Sequence, residues 1–280
     1  MVDQEASTTL QKDFDRDGVC FPIDLLSEEE VEYFRNSFLE QEALLGENVT
    51  YSSFARLHHF FPWAYKLVMH PKILDPIKAI LGPNILVHGS TLFHKHPNDQ
   101  KFVSWHQDSY NMKLNSYDYV SAWVALADST IENGCLRVIP ETHKNLYEHF
   151  LDPTENNLLK RGTTVDVSTL EDKILDVELK AGQMSLHHVN TIHGSNANVS
   201  GIRRMGFAIR YIADTVSQRS HHHPILIAAG KDNHGHYEIQ YTIPEGTLAE
   251  CIEKQRIAHK AYVDSLEESR RKNPDLRCGN

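Results

Sequence analysis

Two histidines and one aspartate in this chain have the residue types and the spacing of a metal site. His106 and Asp108 are separated by one residue, and His193 lies far downstream. Residues i and i+2 of a β-strand point to the same side, so His106 and Asp108 can face one ion together. Two imidazoles and one carboxylate on one face of an octahedral ion are the ligand set of non-haem Fe(II) oxygenases. The pattern predicts an iron site whose third ligand comes from a distant strand.

The residues around His193 strengthen this prediction. A His-x-Asp triplet arises easily by chance in a chain with 18 histidines. Here, however, the distal histidine stands in an Ile-His-Gly-Ser segment at 192–195, and Arg203 and Arg204 follow it. A guanidinium can form two parallel hydrogen bonds to a carboxylate, which a lysine cannot reproduce. We therefore expect the site to hold a dicarboxylate cosubstrate beside the metal.

The composition is that of a folded, acidic protein. The chain has 280 residues, 40% of them hydrophobic, and a formal net charge of -10 at pH 7. This charge argues against nucleic acid as a partner, because phosphate binding needs a basic surface. No apolar run is long enough for a membrane span or a secretory signal, and the four cysteines lack disulfide or metal spacing. We expect a cytoplasmic protein that binds a small molecule, either as a monomer or as a homodimer.

The predicted elements form a helical N-terminal part, a β-rich centre and a C-terminal helix. Ser27 and Glu30 form a capping box for a helix that runs to about Glu42. Without a proline- or glycine-rich linker, the chain is expected to be one domain, with a helical part to about residue 83, a core at about 84–215 and an extension from about 216. Many short strands indicate a jelly roll or sandwich. The predicted strands are 85–94, 101–106, 117–126, 135–139, 176–179, 183–189 and 205–212, and the predicted helices after the first are 62–70, 71–81 and 245–272.

Five short motifs occur in a fixed order in the middle of the chain. They are Trp-His-Gln-Asp at 105–108, Ala-Trp at 122–123, Asn-Gly-Cys-Leu at 133–136, Ile-Pro-Glu-Thr-His-Lys at 139–144 and Ile-His-Gly-Ser at 192–195. Together they resemble the phytanoyl-CoA dioxygenase family of Fe(II)- and 2-oxoglutarate-dependent oxygenases, over roughly residues 13–211. The resemblance implies a mainly β fold with flanking helices, built on a double-stranded β-helix (jelly-roll) core with the metal in its mouth.

The resemblance also implies cofactors, cosubstrates and residue roles. Fe(II) would be bound by His106, Asp108 and His193, and 2-oxoglutarate by Arg204, Ser195 and Trp123, with dioxygen as the second cosubstrate. Relatives place the arginine eleven residues after the distal histidine (204 − 193 = 11), which selects Arg204 and leaves Arg203 facing solvent. Relatives that halogenate have a small residue at the position of Asp108, so the carboxylate implies hydroxylation or a related oxidation.

Alternation along the strand after Arg203 predicts two different faces. The interior face would carry Arg204, Gly206, Ala208 and Arg210, and the hydrophobic backing face Met205, Phe207, Ile209 and Tyr211. One of His187 and His188 is expected to line the barrel without binding the metal. His221, His222 and His223 are expected to form a loop at the mouth of the site or in solvent.

Two groups of residues outside the motifs are candidates for substrate binding. They are Tyr51, Arg56, His58, His59 and Trp63 ahead of the barrel, and Tyr110, Asn111 and Tyr117 after Asp108. Loops at the mouth of such a fold commonly carry specificity, and both groups are polar and aromatic. They favour a small polar metabolite, such as an amino acid, a quaternary amine or an aminoalkylphosphonate. A secondary-metabolite scaffold is the alternative substrate.

Two other classes of protein fit part of the pattern. A Zn²⁺-dependent hydrolase could use the same three ligands, but it would need a general base and would give Arg204 no role. A jelly-roll binding protein could retain the metal without turning over. Dioxygen uptake in the presence of Fe(II) and 2-oxoglutarate would separate the three possibilities.

Overall fold

A computed structural model describes residues 4–46, 51–152, 154–159, 162–219 and 223–272. The helices are α1 (Gln4–Asp17), α2 (Glu28–Leu45), α3 (Pro62–Val68), α4 (Pro71–Leu81) and α5 (Leu248–Lys272). The strands are β1 (Val19–Asp24), β2 (Ile85–Lys95), β3 (Val103–His106), β4 (Tyr119–Ala125), β5 (Leu136–Ile139), β6 (Phe150–Leu151), β7 (Thr163–Thr164), β8 (Leu175–Val177), β9 (Gln183–His188), β10 (Ile192–Ser195), β11 (Arg204–Ala213) and β12 (Leu226–Ala229). In this part of the chain, no helix has the length and apolar character needed to cross a membrane.

Two antiparallel sheets form the core. The major sheet has the order β1-β9-β4-β11-β2-β12, and the minor sheet has the order β3-β10-β5-β8. Trp123 and Ala208 of the major sheet pack with Leu136 and Val138 of the minor sheet in one buried apolar cluster. The sheets therefore face each other, and the predicted jelly-roll core with flanking helices is confirmed.

The two faces of β11 differ as alternation predicted. Met205, Phe207, Ile209 and Tyr211 are buried in the largest apolar cluster, which also contains side chains of α2, α3 and α4. The other face of β11 is turned towards the minor sheet. Helices thus cover the outside of the major sheet, and its inside is left for the site.

The N-terminal part contributes more than helices. β1 pairs antiparallel with β9, so residues 19–24 form an edge strand of the major sheet. The element bounds predicted from the sequence did not include α1, β1, β6, β7, β10 and β12, although the third metal ligand was expected on a distant strand. α1 is dominated by polar residues, and β10 and β12 have four residues each, so they depend on tertiary packing more than on local pattern.

The capping box at the start of α2 is confirmed. The Ser27 hydroxyl accepts a hydrogen bond from the Glu30 backbone N–H at 3.2 Å, and the Glu30 carboxylate accepts one from the Ser27 N–H at 2.9 Å. The helix ends at Leu45, slightly beyond the expected end, and Gly46 follows it. Phe34 and Phe38 of α2 pack in the apolar cluster on the outside of the major sheet.

Candidate active site

The three predicted metal ligands meet between β3 and β10. His106 is the last residue of β3 and lies opposite His193 in the β3–β10 ladder, while Asp108 begins the short 3-10 turn that follows. The His106 Nε2 atom lies 3.4 Å from the Asp108 Oδ1 atom, and the His193 Nε2 atom lies 4.0 Å from it. One ligand atom from each residue lies within 4.8 Å of the others. This spacing fits one ion bound by all three.

Backbone carbonyls fix the orientation of both imidazoles. The Nδ1 atoms of His106 and His193 each lie 2.9 Å from a carbonyl oxygen two residues earlier, at Ser104 and Thr191. A carbonyl oxygen only accepts, so each Nδ1 must carry the proton and donate. Each Nε2 then keeps its lone pair for a metal. A second partner of this kind is typical of metal-binding histidines.

Electrostatics keep Asp108 and His193 in their metal-binding protonation states. Burial alone would raise the pKa of Asp108, but the neighbouring His106 and the positive charge of Arg210 hold that pKa well below its usual value. Burial, followed by the nearby His106 and His187, keeps the pKa of His193 well below its usual value. A carboxylate and a neutral imidazole are the forms that bind a metal ion.

The three ligands open into a cavity between the two sheets. It encloses about 630 Å³ of empty space, a figure that includes its open mouth. The cavity is lined by Phe93, Val103, His106, Asp108, Ser121, Trp123, Leu136, Leu159, His187, His193, Gly194, Ser195, Arg204, Ala208 and Arg210. The six residues expected to hold the metal and the cosubstrate are thus all on its wall.

Arg204 is buried beside Trp123. Its Nη1 atom donates to the Gly134 carbonyl at 2.6 Å, and its guanidinium lies 5.3 Å from the centre of the Trp123 ring. Its buried Nε atom has no hydrogen-bond partner among the described residues. Burial lowers the pKa of Arg204 to about 10, so the group stays charged at neutral pH. An incompletely partnered buried cation marks this place as one for an anion.

A second basic side chain, Lys95, lies next to Arg204 and was not predicted from the sequence. Lys95 pairs with Arg204 across β2 and β11, and its fully buried Nζ atom donates to the Ser195 hydroxyl at 2.7 Å and to the Asn196 carbonyl. Burial and then the charge of Arg204 lower the pKa of Lys95 to about 6. The feature of the sequence that could have indicated Lys95 is its position, one residue beyond the predicted end of a barrel strand. Two adjacent buried basic groups are suited to a doubly charged ligand.

Arg203 does not face solvent as expected. It forms a two-pronged ion pair with the Glu42 carboxylate at 2.7 and 2.5 Å, and its guanidinium lies 5.6 Å from the centre of the Phe38 ring. The residue therefore ties β11 to α2 on the outside of the major sheet. Only Arg204 of the two neighbours is directed into the cavity.

Most of the residues ahead of the barrel that were expected to bind substrate lie away from the cavity. Trp63 is buried on the outer face of the major sheet, with its ring 5.5 Å from that of Phe207, and it cannot reach the metal side. His58 is fully buried and bonded to the Ser90 hydroxyl at 2.6 Å. Both positions are corrected to structural roles, because tertiary packing buries what looked like an exposed aromatic and basic cluster.

The other predicted mouth residues have mixed outcomes. His59 is buried and stacks near His58, while Arg56 lies beside His223 and over the Tyr262 ring, away from the cavity lining. Tyr110 and Tyr117 are exposed near the Asp108 turn, with Tyr110 stacked on His149. The side chains of Tyr51 and Asn111, and the residues His221 and His222, lie outside the described part of the chain.

Comparison with known proteins gives a consistent result. Residues 14–206 match the sequence profile of the phytanoyl-CoA dioxygenase (PhyH) family. The chain belongs to the phytanoyl-CoA dioxygenase family. This match extends over nearly the same residues as the resemblance seen in the motifs. The iron and 2-oxoglutarate chemistry expected from those motifs is that of this family.

Several members of the family are similar in sequence. A probable alpha-ketoglutarate-dependent hypophosphite dioxygenase of Stutzerimonas stutzeri is 30% identical over 65% of this chain and 60% of its own length. The peroxisomal phytanoyl-CoA dioxygenase of Homo sapiens is 30% identical over 69% of this chain and 52% of its own. An ectoine dioxygenase of Nocardia farcinica is 25% identical over 68% and 72%. The chain thus spans little more than half the length of the first two relatives.

Solved structures extend the likeness to the whole fold. The apo form of ThoJ, described as a non-heme monooxygenase, has a TM-score of 0.77 and 29% identity, covering 89% of this chain and 94% of its own. The epimerase SnoN, solved with Fe³⁺, alpha ketoglutarate and nogalamycin RO, has a TM-score of 0.63 and 21% identity, covering 78% and 88%. At that identity SnoN supports the fold alone.

Gly206 provides a test of how the cosubstrate side of the cavity is built. A Cβ atom added at this glycine would lie 1.8 Å from Trp123 Cζ2, so Gly206→Ala must displace the Trp123 ring from beneath Arg204. We expect weaker 2-oxoglutarate binding, measured by calorimetry on metal-loaded protein, and a lower melting temperature. Gly201→Ala, where an added Cβ meets nothing within 4 Å, is the matched control. Unchanged affinity in Gly206→Ala would contradict the packing described.

Proposed function

We propose that this protein is an Fe(II)- and 2-oxoglutarate-dependent dioxygenase that hydroxylates an unactivated C–H of a small polar metabolite, with release of succinate and CO2. The observation that carries the proposal is the convergence of two kinds of group in one cavity. His106, Asp108 and His193 offer a facial ligand set on the cavity wall, and Arg204 lines the same cavity with the buried Lys95 beside it.

The donor set fits iron. Two imidazole nitrogens and one carboxylate oxygen occupy three neighbouring positions of an octahedral ion and leave the others for cosubstrate and dioxygen. Bound iron and 2-oxoglutarate would supply the oxidising power for the C–H bond, and the protein supplies binding and orientation. His106 and His193 hold their Nε2 atoms in place through their Nδ1 bonds, and Asp108 contributes the negative charge.

The basic end of the cavity fits the distal carboxylate of 2-oxoglutarate. Arg204 can present two parallel donors, and Lys95 and Ser195 already contact each other at 2.7 Å beside it. Trp123 forms the floor under the guanidinium and keeps water from it. A zinc hydrolase would have no use for two buried basic groups next to its metal, so the arrangement favours the oxygenase.

Three observations support a small polar substrate and hydroxylation. The relatives named above for hypophosphite and ectoine act on small polar compounds. The cavity wall beside Asp108 carries Ser121, His187 and Arg210 instead of an apolar surface. Asp108 itself retains the carboxylate that halogenating relatives lack. Tyr110 and Tyr117, exposed next to the Asp108 turn, are proposed to border the entrance, and the substrate is proposed to approach between them and the cavity.

Removing any metal ligand should abolish the reaction. In His106→Ala, Asp108→Ala and His193→Ala, we expect loss of stoichiometric Fe(II) and of 2-oxoglutarate-dependent dioxygen uptake and succinate release, because one of three protein ligands is missing. His236→Ala is the control, since His236 is exposed and belongs to neither group of possible metal ligands. Wild-type iron content and uptake in any of the three variants would refute the assignment.

The two adjacent arginines should differ sharply in cosubstrate affinity. Loss of a buried charged contact in Arg204→Ala should weaken 2-oxoglutarate binding by about 2–5 kcal/mol. Arg203→Ala should leave the affinity nearly unchanged, because Arg203 pairs with Glu42 outside the sheet. Titration of both variants by calorimetry decides the question. The reverse order of effects would mean that the register of β11 is wrong by one residue.

Lys95 should make 2-oxoglutarate binding depend on proton uptake. Its pKa of about 6 in the free site means that the amine is mostly neutral at pH 7.5. A bound carboxylate favours the charged amine and raises that pKa, so binding takes up a proton above about pH 6 and none well below it. Calorimetry in two buffers of different ionisation enthalpy should show uptake in the wild type and less in Lys95→Met. Equal values in the two proteins would contradict this role.

A further inference from the structure

Three polar residues form one row across the major sheet beside the metal ligands. Arg210 on β11 pairs with Ser121 on β4, and Ser121 pairs with His187 on β9. All three side chains line the cavity next to Asp108. Neither the metal ligand set nor the cosubstrate group uses any of them. The row therefore needs an explanation of its own.

His187 is the residue of this row that points most directly to a ligand. Its side chain is 3% exposed, and neither ring nitrogen has a hydrogen-bond partner among the described residues. The ring lies 4.7 Å from that of His193, so it borders the metal side of the cavity. A buried polar ring without a partner costs stability unless a ligand completes it.

Arg210 brings positive charge to the same place. Its Nε atom lies 3.8 Å from Asp108 Oδ2, which is longer than a hydrogen bond, and its Nη1 atom donates to the Thr91 hydroxyl at 3.2 Å. Ser121 donates to the same carboxylate oxygen at 3.4 Å. Gly89 lies opposite Arg210 on β2, and a Cβ added there meets nothing within 4 Å. The strand next to Arg210 therefore carries no side chain at the position opposite it.

The charges of the loaded site favour an anion at this row. The two charges of Fe(II) and those of the 2-oxoglutarate dianion cancel formally. The positive charge of Arg204 cancels the negative charge of Asp108. A protonated Lys95 would only add further positive charge. The positive charge of Arg210 then remains as a formal excess in the cavity. In a water-excluded site an excess charge of this kind is strongly attractive to a ligand of opposite sign.

We propose that Arg210, Ser121 and His187 bind an oxyanion group of the primary substrate, a carboxylate or a phosphonate, and so set which carbon lies next to the metal ligands. This inference rests on the proposed function, because it names the substrate class of the same site. Arg210 would provide the charge, and Ser121 and the unpartnered ring of His187 would provide the remaining hydrogen bonds. The alternative is that Arg210 only balances the charge of Asp108.

Binding of matched probes to a non-reacting form tests the proposal. The full-length protein is loaded with Ni(II) and 2-oxoglutarate and titrated with butyrate, propylphosphonate and butyramide by calorimetry or ligand-observed NMR. We expect butyrate or propylphosphonate to bind at least about tenfold more tightly than butyramide, and the better of the two identifies the oxyanion. Equal binding of all three probes would overturn the proposal.

Variants separate substrate binding from charge balance. Arg210→Gln should lose at least about tenfold in affinity for the preferred anion while the 2-oxoglutarate affinity is kept, and His187→Phe should lose less. Arg203→Gln, on the outside of the sheet, is the control and should match the wild type. If Arg210→Gln folds poorly by its melting temperature, Arg210→Lys should restore folding and part of the anion affinity.

The outcomes distinguish this inference from the proposed function. Normal Ni(II) and 2-oxoglutarate binding with no preference for the anionic probes would overturn the oxyanion role alone. Unchanged anion affinity in Arg210→Gln would do the same and would leave Arg210 with charge balance only. Failure of the wild type to bind Ni(II) and 2-oxoglutarate would overturn both proposals.

Discussion

Two basic groups, Arg204 and Lys95, are buried side by side next to the cavity. Much of the surrounding structure offsets the free-energy cost of burying them. The Gly134 carbonyl accepts from Arg204, and the Asn196 carbonyl accepts from Lys95. Gly134 has a positive φ of 76°, and a Cβ there would lie 2.4 Å from the Asn196 oxygen, so only glycine brings these carbonyls together. Burying such groups is costly unless a counter-charge arrives, and a dicarboxylate cosubstrate is that counter-charge.

The register of β11 decides which chemistry the cavity has. Its interior face presents Arg204, Ala208 and Arg210, while the residues between them pack under the helices. A slip by one residue would exchange these faces, placing Arg203 in the cavity and apolar rings beside the metal. The ion pair between Arg203 and Glu42 opposes that slip because it holds the strand to α2. The outer contact therefore contributes to the precision of the inner site.

The sequence predicted the features that depend on local spacing. The metal ligands, the choice of Arg204 and the two faces of β11 follow from motif spacing and strand alternation, and the structure brings them together in one cavity. The sequence did not predict features that depend on tertiary contacts between distant segments. Trp63 was expected at the entrance of the site, because aromatic clusters occur both at entrances and in cores. Only its tertiary contact with Phe207 shows that it is a core residue. Lys95 was missed because a lysine at a strand end is usually exposed, whereas here it is fully buried.

The proposed arrangement gives β11 an arginine at each end of the site with small residues between them. Arg204 and Arg210 share one face and are separated along the strand by about 20 Å, at roughly 3.3 Å per residue. Between them, Ala208 lines the cavity, whereas the Trp123 ring covers Gly206. A dianion held at Arg204 and an oxyanion held at Arg210 would then approach the triad from opposite sides. One strand would then set both the position of the cosubstrate and the distance from the substrate's charged group to its reacting carbon. Specificity among small anions would depend on that distance within each substrate.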